Sequence, residues 1–222
     1  MCLQLLANVQ LPRAIGGLDG TAILLDSEGG ISFKRMEEIC RATADLGTRA
    51  CGAKWRPKSL LDGILYRRID TIEQLNHCLD ELARQIIPNG LNVKLLIVDS
   101  IAYLFRYPIS ENEPNTKSTL HSIIQRLNYL AHQWNLVVVV TNQMTSKMAQ
   151  LGEEEDGEDE IIPALGEAWS HVCSTNLCLK YLQVPNTQTR IMEIVKSSHL
   201  AKGHAYFCVT QEGIRDAPAS TG

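Results

Sequence analysis

The chain has 222 residues, with 21 Lys and Arg against 25 Asp and Glu and a formal net charge of -4. That length suits one large domain or two small ones, and the charge balance supplies no global attraction to nucleic acid. The seven cysteines form no CxxC pair and no apolar run reaches the roughly 18 residues of a membrane helix, so disulfide-scaffold, usual-spacing zinc, membrane-spanning and wholly disordered classes are set aside; the odd cysteine count, with no secretory leader in view, points to free thiols in a reducing compartment.

Taken in chain order, Thr21–Asp26 reads as a buried strand that ends in a carboxylate. Ser32 is a plausible N-cap for a helix running to about Leu46, with Phe33, Met36, Ile39 and Cys40 on one side. Residues 47–62 carry Gly, Pro and basic side chains and read as a connection. A short strand follows at Ile64–Ile69. Asp70 or Thr71 then caps a helix with Ile72, Leu75, Leu79, Leu82 and Ile86 in step, stopped by Pro88-Asn89-Gly90. Val93–Val98 is a nearly continuous apolar run ending at Asp99, Lys117–Trp134 is helical, and Leu136–Val140 is a second apolar run ending in Thr141-Asn142-Gln143. Continuous apolar strands separated by helices imply βαβ units and a parallel sheet. The last third differs. Cys173–Leu182, Arg190–Lys196 and Ala205–Thr210 are short strands without long helices between them, expected to extend that sheet as antiparallel strands, with a turn at Pro185-Asn186-Thr187. Residues 153–160 hold seven acids in eight positions, a density that resists ordering, so a loop over about 147–161 is expected to be mobile.

Three polar groups fall at the carboxyl ends of three expected parallel strands: Asp26-Ser27-Glu28, Asp99-Ser100 and Thr141-Asn142-Gln143. In open α/β sheets that edge is where ligands bind. An apolar strand ending in Asp has the form of a Walker B element, whose carboxylate holds Mg²⁺, usually through water, beside a nucleotide phosphate. On this reading Asp99 is the metal-side carboxylate. Glu28 is placed to orient a water for attack on a γ-phosphate, and Gln143 to sense that phosphate and relay it to the following loop. An acid at a strand end also caps the next turn; one such end carries little, and three in this order carry more.

These motifs, Leu24-Leu25-Asp26-Ser27-Glu28-Gly29, Leu96-Ile97-Val98-Asp99-Ser100 and Thr141-Asn142-Gln143-Met144-Thr145, together resemble the RecA-like recombinases of eukaryotes and archaea. Pro163-Ala164-Leu165-Gly166-Glu167-Ala168-Trp169-Ser170-His171 and Gly213-Ile214-Arg215-Asp216 add to the resemblance, which runs from residue 1 to about 216 and is strongest to the C-type paralogue branch. It implies a RecA-like ATPase core over 1–216 with a tail at 217–222: an α/β fold with a mostly parallel sheet and antiparallel C-terminal strands. Met1-Cys2-Leu3-Gln4-Leu5 is similar to the start of the helix after the family's phosphate loop. That loop, Gly-x-x-x-x-Gly-Lys-Ser/Thr, and the strand before it would lie ahead of Met1 and are not in this sequence. Gly16-Gly17-Leu18-Asp19-Gly20 is glycine-rich but precedes a strand and has no Lys-Ser/Thr.

The implied function is homologous-recombination repair of DNA double-strand breaks in the nucleus, as a DNA-dependent ATPase-type subunit. The implied cofactors are ATP and Mg²⁺, and the implied partners are other recombinase paralogues, the recombinase itself, and single-stranded or branched DNA. The alternative is a scaffold subunit that binds no nucleotide, since the phosphate loop is missing. By resemblance, Lys196 would neutralise γ-phosphate charge on the nucleotide of an adjacent subunit, and two loops would meet DNA: the first with Arg106 and Lys117, the second with Lys147, followed there by the acidic run that opposes phosphate binding. Arg41, Arg49, Lys54, Arg56, Lys58, Arg67 and Arg68 make one basic-rich region, read either as a DNA or partner face or as solvated surface.

Overall fold

Strand and helix alternate along the chain much as the periodicity requires. The computed structural model describes residues 1–52, 54–105, 116–146, 161–165, 172–182 and 188–217, and these divide into two compact units.

Unit 2 spans Gly20–Gly30 and Leu65–Trp169. Its framework is a four-stranded sheet in the order β2-β1-β3-β4, made of β1 (Thr21–Asp26), β2 (Ile64–Arg68), β3 (Val93–Asp99) and β4 (Val137–Val140). β1 pairs with β3, and β3 with β4, in parallel. Ala22, Leu24, Leu25, Leu96, Ile97 and Val98 are at most 1% exposed, the burial expected of a strand covered on both faces. α4 (Ile72–Glu81) begins at Thr71, whose hydroxyl accepts from the Gln74 amide at 3.2 Å, and runs on into a π-helical turn over Leu82–Ile86. A short α5 (Ile101–Leu104) follows β3, and α6 (Thr116–Trp134) leads into β4. Arg126 ties α6 to α4, donating to Asn76 Oδ1 at 2.7 Å and to the Asp80 carboxylate. A two-stranded ribbon of β5 (Met144–Ser146) and β6 (Ile161–Pro163) brackets the residues that hold the acidic run, which lies outside the described residues.

Unit 1 spans Met1–Asp19, Ile31–Ile64 and Ser170–Gly222. It contains α1 (Cys2–Asn8), α2 (Phe33–Cys51) and α3 (Pro57–Asp62), with α2 packed against both of the others. Met36, Ile39 and Cys40 are buried as the spacing predicts, but Phe33 is 58% exposed. β7 (Thr175–Tyr181), β8 (Arg190–Ser197), β9 (His204–Thr210) and β10 (Gly213–Asp216) form an antiparallel sheet in the order β10-β9-β8-β7. The Arg35 guanidinium donates to the carbonyls of Thr210 and Gln211, and Gln4 Oε1 accepts from the Ile214 amide at 3.1 Å. These contacts fasten the β9–β10 turn to α2 and α1.

Two expectations are corrected. The C-terminal strands do not extend the parallel sheet; among the described residues they pair only with one another. Their connections are short enough that each strand meets its chain neighbour before any other edge. The stretch 47–62 is not a plain connection either. Thr48, Arg49, Ala50 and Cys51 continue α2 until Gly52 caps it in the left-handed region, and Pro57 then starts α3 at the position where proline fits. The expected turn at 185–187 lies outside the described residues.

Burial pushes the Cys40 thiol, fully enclosed in α2, up to about 11 from 9.0. A raised folded-state value means that this contribution to stability is whole below the ordinary thiol range and is lost as pH rises toward 11. Melting curves across that window should show a decline of about 2–3 kcal/mol attributable to this group, and Cys40→Ala should flatten that part of the pH dependence. An unchanged slope in the variant would show that the thiol does not titrate there. Leu24→Ala, at a site with no exposure, should cost roughly 2–5 kcal/mol in the same assay, whereas Tyr129→Ala, 58% exposed, should stay within about 0.5 kcal/mol.

Candidate functional site

The parallel register brings the three strand ends together. Asp26 stands opposite Asp99, and Val98 opposite Val140, so that Thr141 follows in the same row. The backbone continues the ladder past the strands: the Ser27 amide donates to the Asp99 carbonyl at 2.8 Å, and the Ile101 amide to the Thr141 carbonyl at 3.2 Å. Ser27 and Ser100, both buried, lock the first two ends reciprocally. Ser27 Oγ donates to the Ser100 carbonyl at 2.6 Å and accepts from the Ser100 amide at 3.0 Å. The Asp99–Ser100 peptide bond is cis.

Asp26 is 1% exposed and fully used. Its Oδ1 accepts from the Glu28 and Gly29 amides at 3.0 and 2.8 Å and lies 3.6 Å from the Arg68 guanidinium; its Oδ2 accepts from the Tyr66 hydroxyl at 3.1 Å. This is an Asx-type turn, and it sets the direction in which Glu28 leaves the sheet. The φ of Gly29, +72°, favours glycine there; a Cβ would also meet the Arg68 guanidinium, the end of a side chain that can shift aside. Partial burial and the neighbouring Asp26 carboxylate hold the Tyr66 hydroxyl above the ordinary tyrosine range.

Glu28 is exposed, yet its carboxylate is held at one oxygen. Oε1 accepts from Ser100 Oγ at 2.6 Å and from the Gln143 side-chain amide. Its second oxygen has no partner among the described residues. Asp99 Oδ1 accepts from Thr141 Oγ1 at 2.6 Å. Asn142 Oδ1 accepts from the Gln143 amide at 2.9 Å, and the Gln143 carbonyl from the Ala164 amide at 2.8 Å. Gln143 thus touches Glu28 through its side chain and the β5–β6 ribbon through its backbone.

The sequence-read residues Glu28, Asp99 and Gln143 therefore meet at one sheet edge. Gln143 and Ser100 bond Glu28, Thr141 bonds Asp99, and Ser27 bonds Ser100; the three supporting residues lie within two positions of a residue read as functional, and only the register shows what each bonds. Tyr66 and Arg68 had no sequence signal as partners of Asp26. Lys196 lies on β8, in unit 1. Lys117 lies in the first turn of α6, and Arg106 and Lys147 fall outside the described residues. Among the described residues no group of three or more His, Cys, Asp or Glu is placed to hold a metal, and no helix is long and apolar enough to cross a membrane. The Asp99 carboxylate and the Thr141 hydroxyl beside it offer oxygen donors, the donor chemistry that Mg²⁺ takes.

Asp26→Ala should lower stability by about 1–3 kcal/mol in denaturant titrations, because two amides and a guanidinium lose their acceptor. In the milder Asp26→Asn variant, spectrophotometric titration should find the Tyr66 hydroxyl ionising at lower pH than in the parent. No movement would mean that burial alone sets it.

The Rad51 family model matches residues 1–217. A protein described as DNA repair protein RAD51 homolog 3 of Dictyostelium discoideum is 31% identical over 226 aligned positions, covering 97% of this chain and 56% of the relative. The protein of the same description from Cricetulus griseus is 28% identical over 227 positions, covering 98% of this chain and 59% of the relative. The chain thus spans less than two thirds of the length of these relatives. With the family model matched over almost every residue, the chain belongs to the Rad51 family.

Proposed function

We propose that the chain acts in homologous-recombination repair of DNA double-strand breaks, in the nucleus, as an ATPase-type subunit working with other recombinase paralogues and the recombinase on single-stranded or branched DNA. Family membership and the description of both relatives as DNA repair proteins support the class of process. The observation that carries the chemistry is Glu28. One oxygen is held by Ser100 and Gln143, and the other is left over at an exposed strand end.

In this reading Asp99 would hold Mg²⁺, with Thr141 fixing the carboxylate's orientation. ATP, when bound, would supply a phosphoanhydride open to attack by water. Glu28 orients a water through its second oxygen. Gln143 is the coupling residue, because whatever draws its side chain from Glu28 also pulls on the segment bonded to Ala164. Lys196 serves the nucleotide of a neighbouring subunit. Arg106 and Lys147, with Lys117 in the first turn of α6, are the DNA contacts.

Deletion of the gene in the native cells should abolish most repair of a cut reporter by homologous recombination. Glu28→Gln at the endogenous locus should reproduce much of that loss. Protein purified from the edited cells should show DNA-stimulated ATP hydrolysis reduced by about 10² or more, with capture of recombinase paralogues unchanged. Normal recombination after deletion would overturn the functional reading. Recombination lost on deletion but intact in Glu28→Gln would leave the process standing and overturn the catalytic role of Glu28.

A further inference from the structure

Between Leu46 and Leu61 the sequence carries four cations, Arg49, Lys54, Arg56 and Lys58, and no acid. The structure separates these from the rest of the basic-rich region. Arg41 pairs with Glu37 at 2.9 Å. Arg67 pairs with Glu81, and Arg68 with Asp70 at 2.9 Å while also facing Asp26. Those three are neutralised within their own surroundings. Arg49, Lys54, Arg56 and Lys58 are all exposed and have no ion pair among the described residues, and the same holds for Arg13.

The local fold gathers these five. Gly52, at φ +68°, turns the chain at the end of α2. The Trp55 amide then donates to Thr48 Oγ1 at 3.0 Å, and the indole lies against Gly47, where a Cβ would be 3.3 Å from Trp55 and 3.1 Å from Leu11. Lys54 and Arg56 flank the anchored Trp55 and so stand beside the last turn of α2, which carries Arg49. Lys58 is in the first turn of α3, which packs on α2. Arg13 is two residues beyond Leu11, in a 3-10 turn that also contacts α2. The nearby acids are Asp19, Asp45 and Asp62, also exposed, with Asp62 at the far end of α3.

We infer that unit 1 carries a phosphate-binding face for single-stranded nucleic acid, made of Arg13, Arg49, Lys54, Arg56 and Lys58, none of which is among the DNA contacts named above. Cations held close together with no protein counterion are those whose small-ion atmosphere a polyanion displaces. Leu60 is 1% exposed and Trp55 is half-buried, so the apolar side chains of this turn serve packing while the charged ones face outward. The choice of nucleic acid over an acidic peptide rests on the DNA-repair reading.

The test is fluorescence anisotropy of labelled oligo(dT) with the whole chain over a range of salt concentrations. The combined variant Arg49→Ala, Lys54→Ala, Arg56→Ala, Lys58→Ala should bind on the order of tenfold or more weakly at low salt. Its slope of log affinity against log salt should fall by about 2.8, roughly 0.7 per lost phosphate contact. Arg56→Glu alone, at an exposed position, should lower affinity with its melting temperature unchanged, and Lys54→Arg with Lys58→Arg should bind like the parent. An unchanged slope in the combined variant would place the nucleic acid elsewhere and overturn the proposal. So would equal binding of poly-glutamate, which would make the face an acidic-protein site. Failure of the parent to bind oligo(dT), with recombination still lost on gene deletion, would overturn this face and leave the repair reading standing.

Discussion

The reciprocal bonding of Ser27 and Ser100 is the contact on which the site depends. A parallel ladder aligns strand ends only as far as its last backbone pair, and beyond that each chain is free to diverge. Here the Ser27 hydroxyl accepts a hydrogen bond from the Ser100 amide and donates one to the Ser100 carbonyl. The ends of β1 and β3 therefore stay together for one residue more than the strands themselves. Ser100 is thereby fixed with its hydroxyl aimed at Glu28. Both serines are buried, where a hydrogen-bonded polar pair is held rigidly because leaving either partner unpaired would cost its full desolvation.

Two carboxylates two residues apart then take opposite parts. Asp26, nearly without exposure, spends both oxygens on amides, Tyr66 and Arg68. Its charge shapes the turn and is not available to anything else. Glu28 lies outside that turn and has one oxygen spoken for. The division follows from position: a strand's last residue is enclosed by its neighbours, and the second residue beyond has already left the sheet. Asp99 lies between these extremes, with one oxygen on Thr141.

The same sorting acts on the cations. Within a basic run of sequence, the arginines at 41, 67 and 68 meet acids supplied by a helix turn, by α4 and by the strand-end turn. Those between 49 and 58 meet none among the described residues, because the chain there doubles back onto α2 and brings no acid with it. Charge density along a sequence and charge left available on a surface are different quantities, and only pairing separates them.

Strand identity was legible from the residues alone. The run Leu95–Val98 is buried throughout, as a central strand must be, whereas Val137–Val140 is half-exposed and reads as strand from its unbroken β-branched composition. The caps at Ser32 and Thr71, and the candidacy of Glu28, Asp99 and Gln143, were likewise local: a polar residue after an apolar run is visible one residue at a time. Tertiary structure decided what no local pattern encodes. The lateral order β2-β1-β3-β4 and its register put residues 26, 99 and 141 in one row. Closure of β7–β10 into their own sheet, and the extension of α2 through Cys51, turned on competing pairings and on where Gly52 and Trp55 could settle. Those outcomes are sums over contacts distant in sequence, so composition and periodicity state the candidates while packing selects among them.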